Sequence, residues 1–310
     1  MPNKMYKKNI LIVGGTGFIG YHLAKKAIQK KFSVTSLSTK PAKKIRYLKK
    51  VKYIYCDISN KQKLKNVIKK HFQYVINLGG YVDHSNKKKT IESHYHGCQN
   101  LAEIFLKKRP KLFLQIGSCV EYGLKKSPQK ENENCDIKSN KSNYGKAKLL
   151  ASKYLINLYK NTGFPVSILR LYLAYGPKQD ENRLVPIVIM SCLKNKTFNC
   201  SSGNQIRDFI YIEDVVDAIF KLIKSNKSKG QIFNIGSGKP IKVKNVIEKI
   251  KEISKGGSPQ YGKIKFRKDE IKELYPNIKK IKKEIKWKAN IPFDKGLKLT
   301  IKYYRDSLLK

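Results

Sequence analysis

Short apolar runs alternate along the chain with stretches of helical period. Residues 9–14, 33–38, 52–56, 74–78, 111–117, 166–171 and 231–235 predict strands, most of them apolar at consecutive positions, as in strands buried on both faces. Between them, Ile19, Leu23, Ala27 and Ile28 form one stripe of a helix over 18–31, and Val215, Ile219, Leu222 and Ile223 one stripe over 213–224. This alternation predicts an α/β fold built on a doubly wound parallel sheet with helices on both sides. After Leu171 the rhythm breaks: 172–206 and 239–310 predict helices, turns and little strand, with strand-helix-strand logic returning at 207–238. The expected division is therefore one domain of 1–171 with 207–238, and a smaller, discontinuous C-terminal lobe of 172–206 with 239–310. That lobe would lie over the carboxyl edge of the sheet, where such folds bind ligands. Within it Ile278, Ile281 and Ile285 predict an amphipathic helix packed on the lobe.

With 310 residues and 40% hydrophobic content the chain can bury a sizeable core. Its longest apolar runs fall far short of the roughly 20 residues of a membrane span. The basic start, 1–8, precedes too short an apolar run for a secretory signal, so a cytoplasmic chain with no membrane partner is expected. Six cysteines without a CxxC pair suggest reduced thiols and no metal site. The net charge of +45 first suggests nucleic acid. It is carried almost wholly by lysine, spread over every segment beside abundant Ile and Asn, which is what AT-rich codons supply. A solvated basic surface that attracts small anions is the expectation, with no nucleic-acid partner.

The first predicted strand runs straight into Gly14, Gly15, Thr16, Gly17, Phe18, Ile19 and Gly20, ahead of a predicted helix. Glycines at 14, 17 and 20 allow a tight turn, close backbone approach to a pyrophosphate and close helix packing, which predicts a dinucleotide site. An acidic residue ending the second strand would hold an NAD ribose. None lies between Gly20 and Asp57; the strand ends in Ser38, Thr39 and Lys40, with Lys43, Lys44 and Arg46 beyond. Hydroxyls and cations suit a 2′-phosphate, so NADP is preferred, with NAD as the alternative. Asp57, just past the third strand, reads as an adenine-side contact.

The fifth strand ends at Ser118, and Tyr144 and Lys148 lie one turn apart at the start of a helix over 142–163. An ammonium near a phenol favours the phenolate and lets Tyr act as acid or base near neutral pH. Ser118 at a strand's carboxyl end can hydrogen-bond the reacting oxygen.

With these motifs in this order the chain resembles the extended short-chain dehydrogenase/reductase family: nucleotide-sugar epimerases, dehydratases and ketoreductases that use NAD(P). The likeness runs through Gly14 to Gly20, Asp57-Ile58, Asn77-Leu78-Gly79-Gly80, Ser118 to Gly123, Tyr144 to Lys148, Arg170 with Tyr175-Gly176-Pro177, Arg207 to Val215, and Phe233 to Gly238. The resemblance implies a Rossmann domain and a lobe for a nucleoside-diphosphate sugar, with Ser118, Tyr144 and Lys148 as the catalytic set. It implies cofactor contacts from the glycine loop, the second strand end, Asp57, Ile58, Leu78, Gly79, Gly80, Tyr144, Lys148 and Tyr172. Substrate contacts would come from Ser118 and from Arg183, Arg207 and Arg267, whose planar forks suit a diphosphate. A homodimer through helices near 87–109 and 142–163 is implied as well.

Departures from the family narrow the chemistry. The 4,6-dehydratases carry an Asp-Glu pair directly after the strand-end hydroxyl residue, where this chain has Cys119 and Val120. The 3,5-epimerase/reductases place a Cys two residues after it; here that place is Val120. Cys119, one residue early, would face the other way and is read as packing. What remains is chemistry at C4. His94, where many members have Asn, the run 77–85 with Tyr81, Asp83 and His84, and the tail 266–270 look more like 4-ketoreductases that make deoxy sugars for surface polysaccharide. His84 and His94 are read as loop or packing residues. The rivals are a UDP-hexose 4-epimerase with tightly held NAD and a non-catalytic, RNA-binding relative, against which the intact Ser118, Tyr144 and Lys148 argue.

Overall fold

A computed structural model describes residues 8–81, 83, 85–266 and 270–309 of the protein. Strands β1 (Asn9–Val13), β2 (Ser33–Ser38), β3 (Val51–Tyr55), β4 (Tyr74–Asn77), β5 (Leu112–Ser118) and β6 (Val166–Leu171) come first. They are followed by β7 (Leu173–Tyr175), β8 (Thr197–Asn199), β9 (Ile206–Tyr211), β10 (Gln231–Ile235), β11 (Pro240–Lys242), β12 (Ser258–Gln260) and β13 (Glu273–Leu274). The seven strands expected from the apolar runs make one sheet of order β10-β6-β5-β4-β1-β2-β3. β1 lies parallel between β2 and β4, so the order reverses on either side of it and the crevice at its carboxyl end is the switch point of a Rossmann-type fold.

The middle of the sheet is buried: every residue of β5 and of β6 is buried. Leu11, Val75, Phe113 and Ile168 pack with Leu101, Phe105, Ala151 and Leu155 in one apolar cluster. The first α-helices in chain order are α1 (Phe18–Gln29), α2 (Lys61–Val67), α3 (Lys87–Ile91), α4 (Gly97–Lys107) and α5 (Asn143–Thr162), and those last four side chains lie on α4 and α5. α5 is bounded by sequence chemistry at both ends. The Ser142 hydroxyl accepts from the Gly145 N–H, and Gly163 closes the helix at φ 68°.

Two compact units are formed, Met1–Gly123 with Asn134–Arg170 and Ile219–Phe233, and Leu124–Glu133 with Leu171–Ala218 and Asn234–Lys310. The second contains more strand than its sequence predicts. β9 pairs antiparallel with β11 and parallel with β13 and β7, and β12 pairs with β8. Strands of two or three residues carry no periodic signal, which is why they were not expected. β9 was expected to rejoin the larger domain as part of 207–238. It belongs to the small sheet instead, because a short apolar run identifies a strand without identifying its partners. Helix Lys279–Ile285 forms where the stripe predicts it, with Ile278, Ile281 and Ile285 buried. No helix among the described residues is long and apolar enough to cross a membrane.

Two buried carboxylates organise this second unit. Asp208 accepts from the backbone N–H groups of Ser237 and Gly238 at 2.6 and 2.7 Å, and burial raises its pKa to about 6. Asp214, in the first turn of the helix Ile212–Lys224, accepts from the N–H groups of Asn290 and Ile291, both at 3.0 Å. Asp214→Ala leaves those two donors without an acceptor and is expected to lower unfolding free energy by about 1–3 kcal/mol. Urea denaturation followed by circular dichroism checks this.

Candidate active site

At the end of β1 the chain turns at Gly14 with φ +76°, and a Cβ there would lie 3.1 Å from the Leu78 carbonyl carbon beyond β4. The turn is tied to both neighbouring strands: Gly14 N–H donates to Leu37 O at 2.7 Å, and Leu78 N–H to Val13 O at 3.0 Å. Helix α1 (Phe18–Gln29) follows, and a Cβ on Gly20 would come within 2.3 Å of Gly14 O and 2.6 Å of Gly15 Cα. Helix and loop therefore touch backbone to backbone. Gly17 precedes the helix in extended conformation, and Phe18 and Ile19 begin it without an acidic side chain. N–H groups of a helix start aimed past a side-chain-free turn make a cradle for a phosphate anion.

The end of β2 faces this loop. The Thr16 N–H donates to Ser38 Oγ at 3.3 Å, while Thr39 and Lys40 are exposed. Asp57 is exposed and accepts from the Ser59 N–H and hydroxyl, both at 2.8 Å; Ile58 is buried, and Asn100 Nδ2 donates to its carbonyl at 2.9 Å. Beyond Leu78, a Cβ on Gly79 would lie 2.8 Å from Val13 Cγ1, and one on Gly80 would fall 1.8 Å from His94 Cε1.

The candidate reacting residues lie on β5 and α5. Ser118 ends β5, buried, with its N–H donating to Glu121 Oε1 at 2.8 Å. Tyr144 sits half-buried in the first turn of α5. Lys148 is buried one turn later; its Nζ donates to Ile116 O at 2.8 Å and lies 5.8 Å from the Tyr144 ring centre. Burial lowers its pKa to about 8, against the opposing pull of the Glu121 carboxylate. The close approach needs Gly145, whose Cβ would stand 2.8 Å from Val120 O. Asn140 fastens the junction: its Nδ2 donates to Val120 O at 2.7 Å and its Oδ1 accepts from the Ser142 N–H at 3.1 Å.

Three residues take larger parts here than their sequence context suggests. His94, read as packing, meets the Tyr144 ring edge to face, centres 4.9 Å apart, and its Nε2 bonds Tyr81 O at 3.0 Å. It is carried by the π-helical turn Glu92–His96, a distortion that often marks functional positions. Glu121 is wholly buried and accepts from Ser152 Oγ at 2.8 Å and Arg170 Nε at 3.0 Å besides Ser118 N. Asn140 gave no sequence signal, since a lone Asn before a Ser cap reads as loop. Cys119 is buried and Val120 half-buried.

Arg183 and Arg207 lie in the second unit. Arg183 is exposed, immediately before the helix Leu184–Leu193. Arg207 is buried, donates to Ile206 O and Lys272 O, and is ion-paired with Glu270. Tyr172 is buried with its hydroxyl donating to Gln129 Oε1 at 2.7 Å. Arg267 and His84 lie outside the described residues.

A Rossmann-type sheet with a glycine cradle at its switch point and a Tyr/Lys pair on the helix beside β5 defines a nucleotide-dependent oxidoreductase of the extended short-chain type. The chain belongs to the NAD dependent epimerase/dehydratase family, whose model matches residues 10–236. It is 26% identical to UDP-N-acetyl-alpha-D-glucosaminuronate decarboxylase of Bacillus cytotoxicus, over 97% of this chain and 98% of that protein. It is 30% identical to a putative UDP-glucose 4-epimerase of Methanocaldococcus jannaschii, over 96% of this chain and 99% of the relative. Among solved structures, UDP-glucose 4-epimerase of Thermotoga maritima, crystallised with UDP-glucose, superimposes with TM-score 0.90 at 26% identity, covering 97% and 99% of the two chains.

Because burial lowers the Lys148 pKa, the folded chain releases that proton at lower pH than the unfolded chain does. Between about pH 8 and the ordinary lysine value near 10.4 the unfolded state binds more protons, so this group's contribution to stability rises with pH. Lys148→Met removes the buried charge, and Gln115 Nε2 still donates to Ile116 O at 3.1 Å. The variant is expected to melt higher than the parent at pH 7, with the gap closing toward pH 10. Calorimetry across that range checks it.

Proposed function

We propose that the chain is an NAD(P)-dependent nucleotide-sugar oxidoreductase whose hydride chemistry is confined to C4 of the sugar, with reduction of a nucleoside-diphosphate 4-keto-6-deoxy sugar as its net reaction. The observation that carries this reading is the convergence of Lys148 and Tyr144 on the end of β5 beside Ser118, with Cys119 and Val120 where elimination of water would need an acid and a base. Proton transfer at O4 needs one phenol, one supporting cation and one hydroxyl, and nothing more.

The glycine loop fits a dinucleotide, since a Cβ at Gly14 would strike the Leu78 backbone and one at Gly20 the loop itself, and without them the start of α1 lies close beneath the turn. Gly14, Thr16, Gly17, Phe18, Ile19 and Gly20 would hold the pyrophosphate, and Ser38, Thr39 and Lys40 the adenosine ribose. Asp57 and Ile58 would meet the adenine, Leu78, Gly79 and Gly80 would line the path toward the nicotinamide, and Tyr172 is proposed as a further cofactor contact. With no acidic side chain ending β2, NADP is the preferred form. When bound, the nicotinamide supplies the hydride for C4.

The chain's own groups do the rest. Ser118 orients the C4 carbonyl, and the Tyr144 hydroxyl gives its proton to the sugar oxygen. Lys148 stabilises the phenolate left behind, which it does only while protonated. Its pKa of about 8 therefore predicts that kcat falls as pH rises through that value. Arg183, Arg207 and Arg267 are the proposed diphosphate contacts, Arg207 keeping its pair with Glu270. A cytoplasmic homodimer serving surface polysaccharide synthesis completes this reading.

A second reading, a UDP-hexose 4-epimerase with the same residues acting reversibly, is supported by the full-length likeness to the Methanocaldococcus and Thermotoga proteins. Denaturing purified protein and identifying any released nucleotide separates the two. A protein that carries none, binds NADPH more tightly than NADH by fluorescence and oxidises it with a 4-keto-6-deoxy sugar nucleotide supports the reductase. Retained NAD with interconversion of UDP-glucose and UDP-galactose supports the epimerase; failure to bind either nucleotide overturns both. Tyr144→Phe is expected to lower kcat by about a hundredfold or more while nucleotide binding persists.

A further inference from the structure

We propose that Glu121 is a positioning residue of the reacting centre: its buried carboxylate fixes the backbone of Ser118 and supplies the negative charge against which Lys148 keeps its proton. This rests on the reading of Ser118, Tyr144 and Lys148 as the reacting groups. The carboxylate lies among three elements. From the end of β5 it accepts the Ser118 N–H at 2.8 Å, from α5 the Ser152 hydroxyl at 2.8 Å, and from β6 the Arg170 Nε at 3.0 Å. Arg170 in turn lies over the Tyr122 ring, 4.3 Å from its centre. Both members of the ion pair are almost completely out of water, at 0% and 4% side-chain exposure.

Two features argue that this pair does more than hold the fold. A buried ion pair is often no more stabilising than apolar side chains of equal volume, so its stability contribution alone is weak grounds for having one. Here one carboxylate oxygen is directed to the N–H of Ser118 itself, and the chain makes room for it: a Cβ on Gly117 would lie 2.3 Å from Glu121 Oε1. The acid also stands one residue beyond the position at which an eliminating enzyme would need it, and it points into the core instead of toward a substrate. Among the described residues, the charged or titratable groups bearing on Lys148 are Glu121, the buried Cys98 thiol on α4 and Tyr144 on its own helix. Cys98 is pushed up to about 12 by burial and stays neutral, which leaves Glu121 as the anion that favours the ammonium.

The test is a side-chain titration of Lys148 in the full-length protein carrying 13C at lysine Cε, the signal assigned by its loss in Lys148→Arg. It needs neither cofactor nor substrate. In Glu121→Gln the midpoint should fall by about one pH unit or more, because an opposite charge nearby has been removed. Where the unpaired Arg170 prevents that variant from folding, Glu121→Met combined with Arg170→Met removes both charges; loss of the Arg170 cation acts on Lys148 in the opposite sense, so the midpoint should still fall, by less. On the sugar nucleotide that the parent turns over, kcat should fall about ten- to a hundredfold at little-changed KM, with its alkaline limb moved to lower pH. A folded variant in which Lys148 titrates as in the parent and kcat stays within about twofold overturns the proposal, however far the melting temperature drops. Absence of turnover by the parent on any sugar nucleotide would count against the functional reading, while a moved Lys148 titration would still support the role of Glu121.

Discussion

An ammonium group taken out of water has to be met by acceptors and by negative charge, and the burial of Lys148 between α5 and β5 imposes that demand on everything around it. Its Nζ donates a hydrogen bond to Ile116 O, two residues before Ser118, so the cation and the strand-end hydroxyl are fixed by one short piece of chain. The helix can come this close only because residue 145 has no side chain to meet Val120 O. The charge is answered by Glu121, whose own burial is answered by Arg170 and Ser152. Each charge in this chain of interactions is answered by the next, with Arg170 Nη1 left buried without a hydrogen-bond partner among the described residues. Tyr144 is positioned as a consequence, between the ammonium one turn below it and the His94 ring at its edge.

Related physics organises the second unit. Asp208 and Asp214 are buried carboxylates that accept from pairs of backbone N–H groups far along the chain, and so pin the 237–238 turn and the 290–291 segment to β9 and the helix that follows it. They sit in the run Arg207 to Val215, whose mixture of charge and apolar bulk looks like a ligand site in the sequence. In the structure these two acids are occupied with backbone, and Arg207 with Glu270.

Much of the first unit was legible before any coordinates. Consecutive apolar residues bounded by glycine or polar turns gave the strands of the large sheet, and the glycine loop, the strand-end Ser and the Tyr/Lys spacing marked the candidate site, because each of these signals is local. What escaped was set by tertiary pairing. No periodicity tells β9 to join β7, β11 and β13, and two- or three-residue strands have no period at all. His94 carries no local motif, and the capping box that Glu121 closes with Ser118 gives no hint of Arg170 or Ser152; the importance of His94 and Glu121 comes from a π-helical turn that presents one ring to Tyr144 and a strand end that folds the other side chain inward. Asn140 is a loop residue until the loop is seen to close against Val120 O.

The central claim is that this buried network serves hydride chemistry at a single sugar carbon. The most direct measurement is to supply NADPH deuterated at nicotinamide C4 together with a nucleoside-diphosphate 4-keto-6-deoxyglucose and to locate the label in the product by NMR. The account predicts deuterium at sugar C4 and at no other carbon. Product without deuterium at C4, or with deuterium elsewhere on the ring, would contradict it.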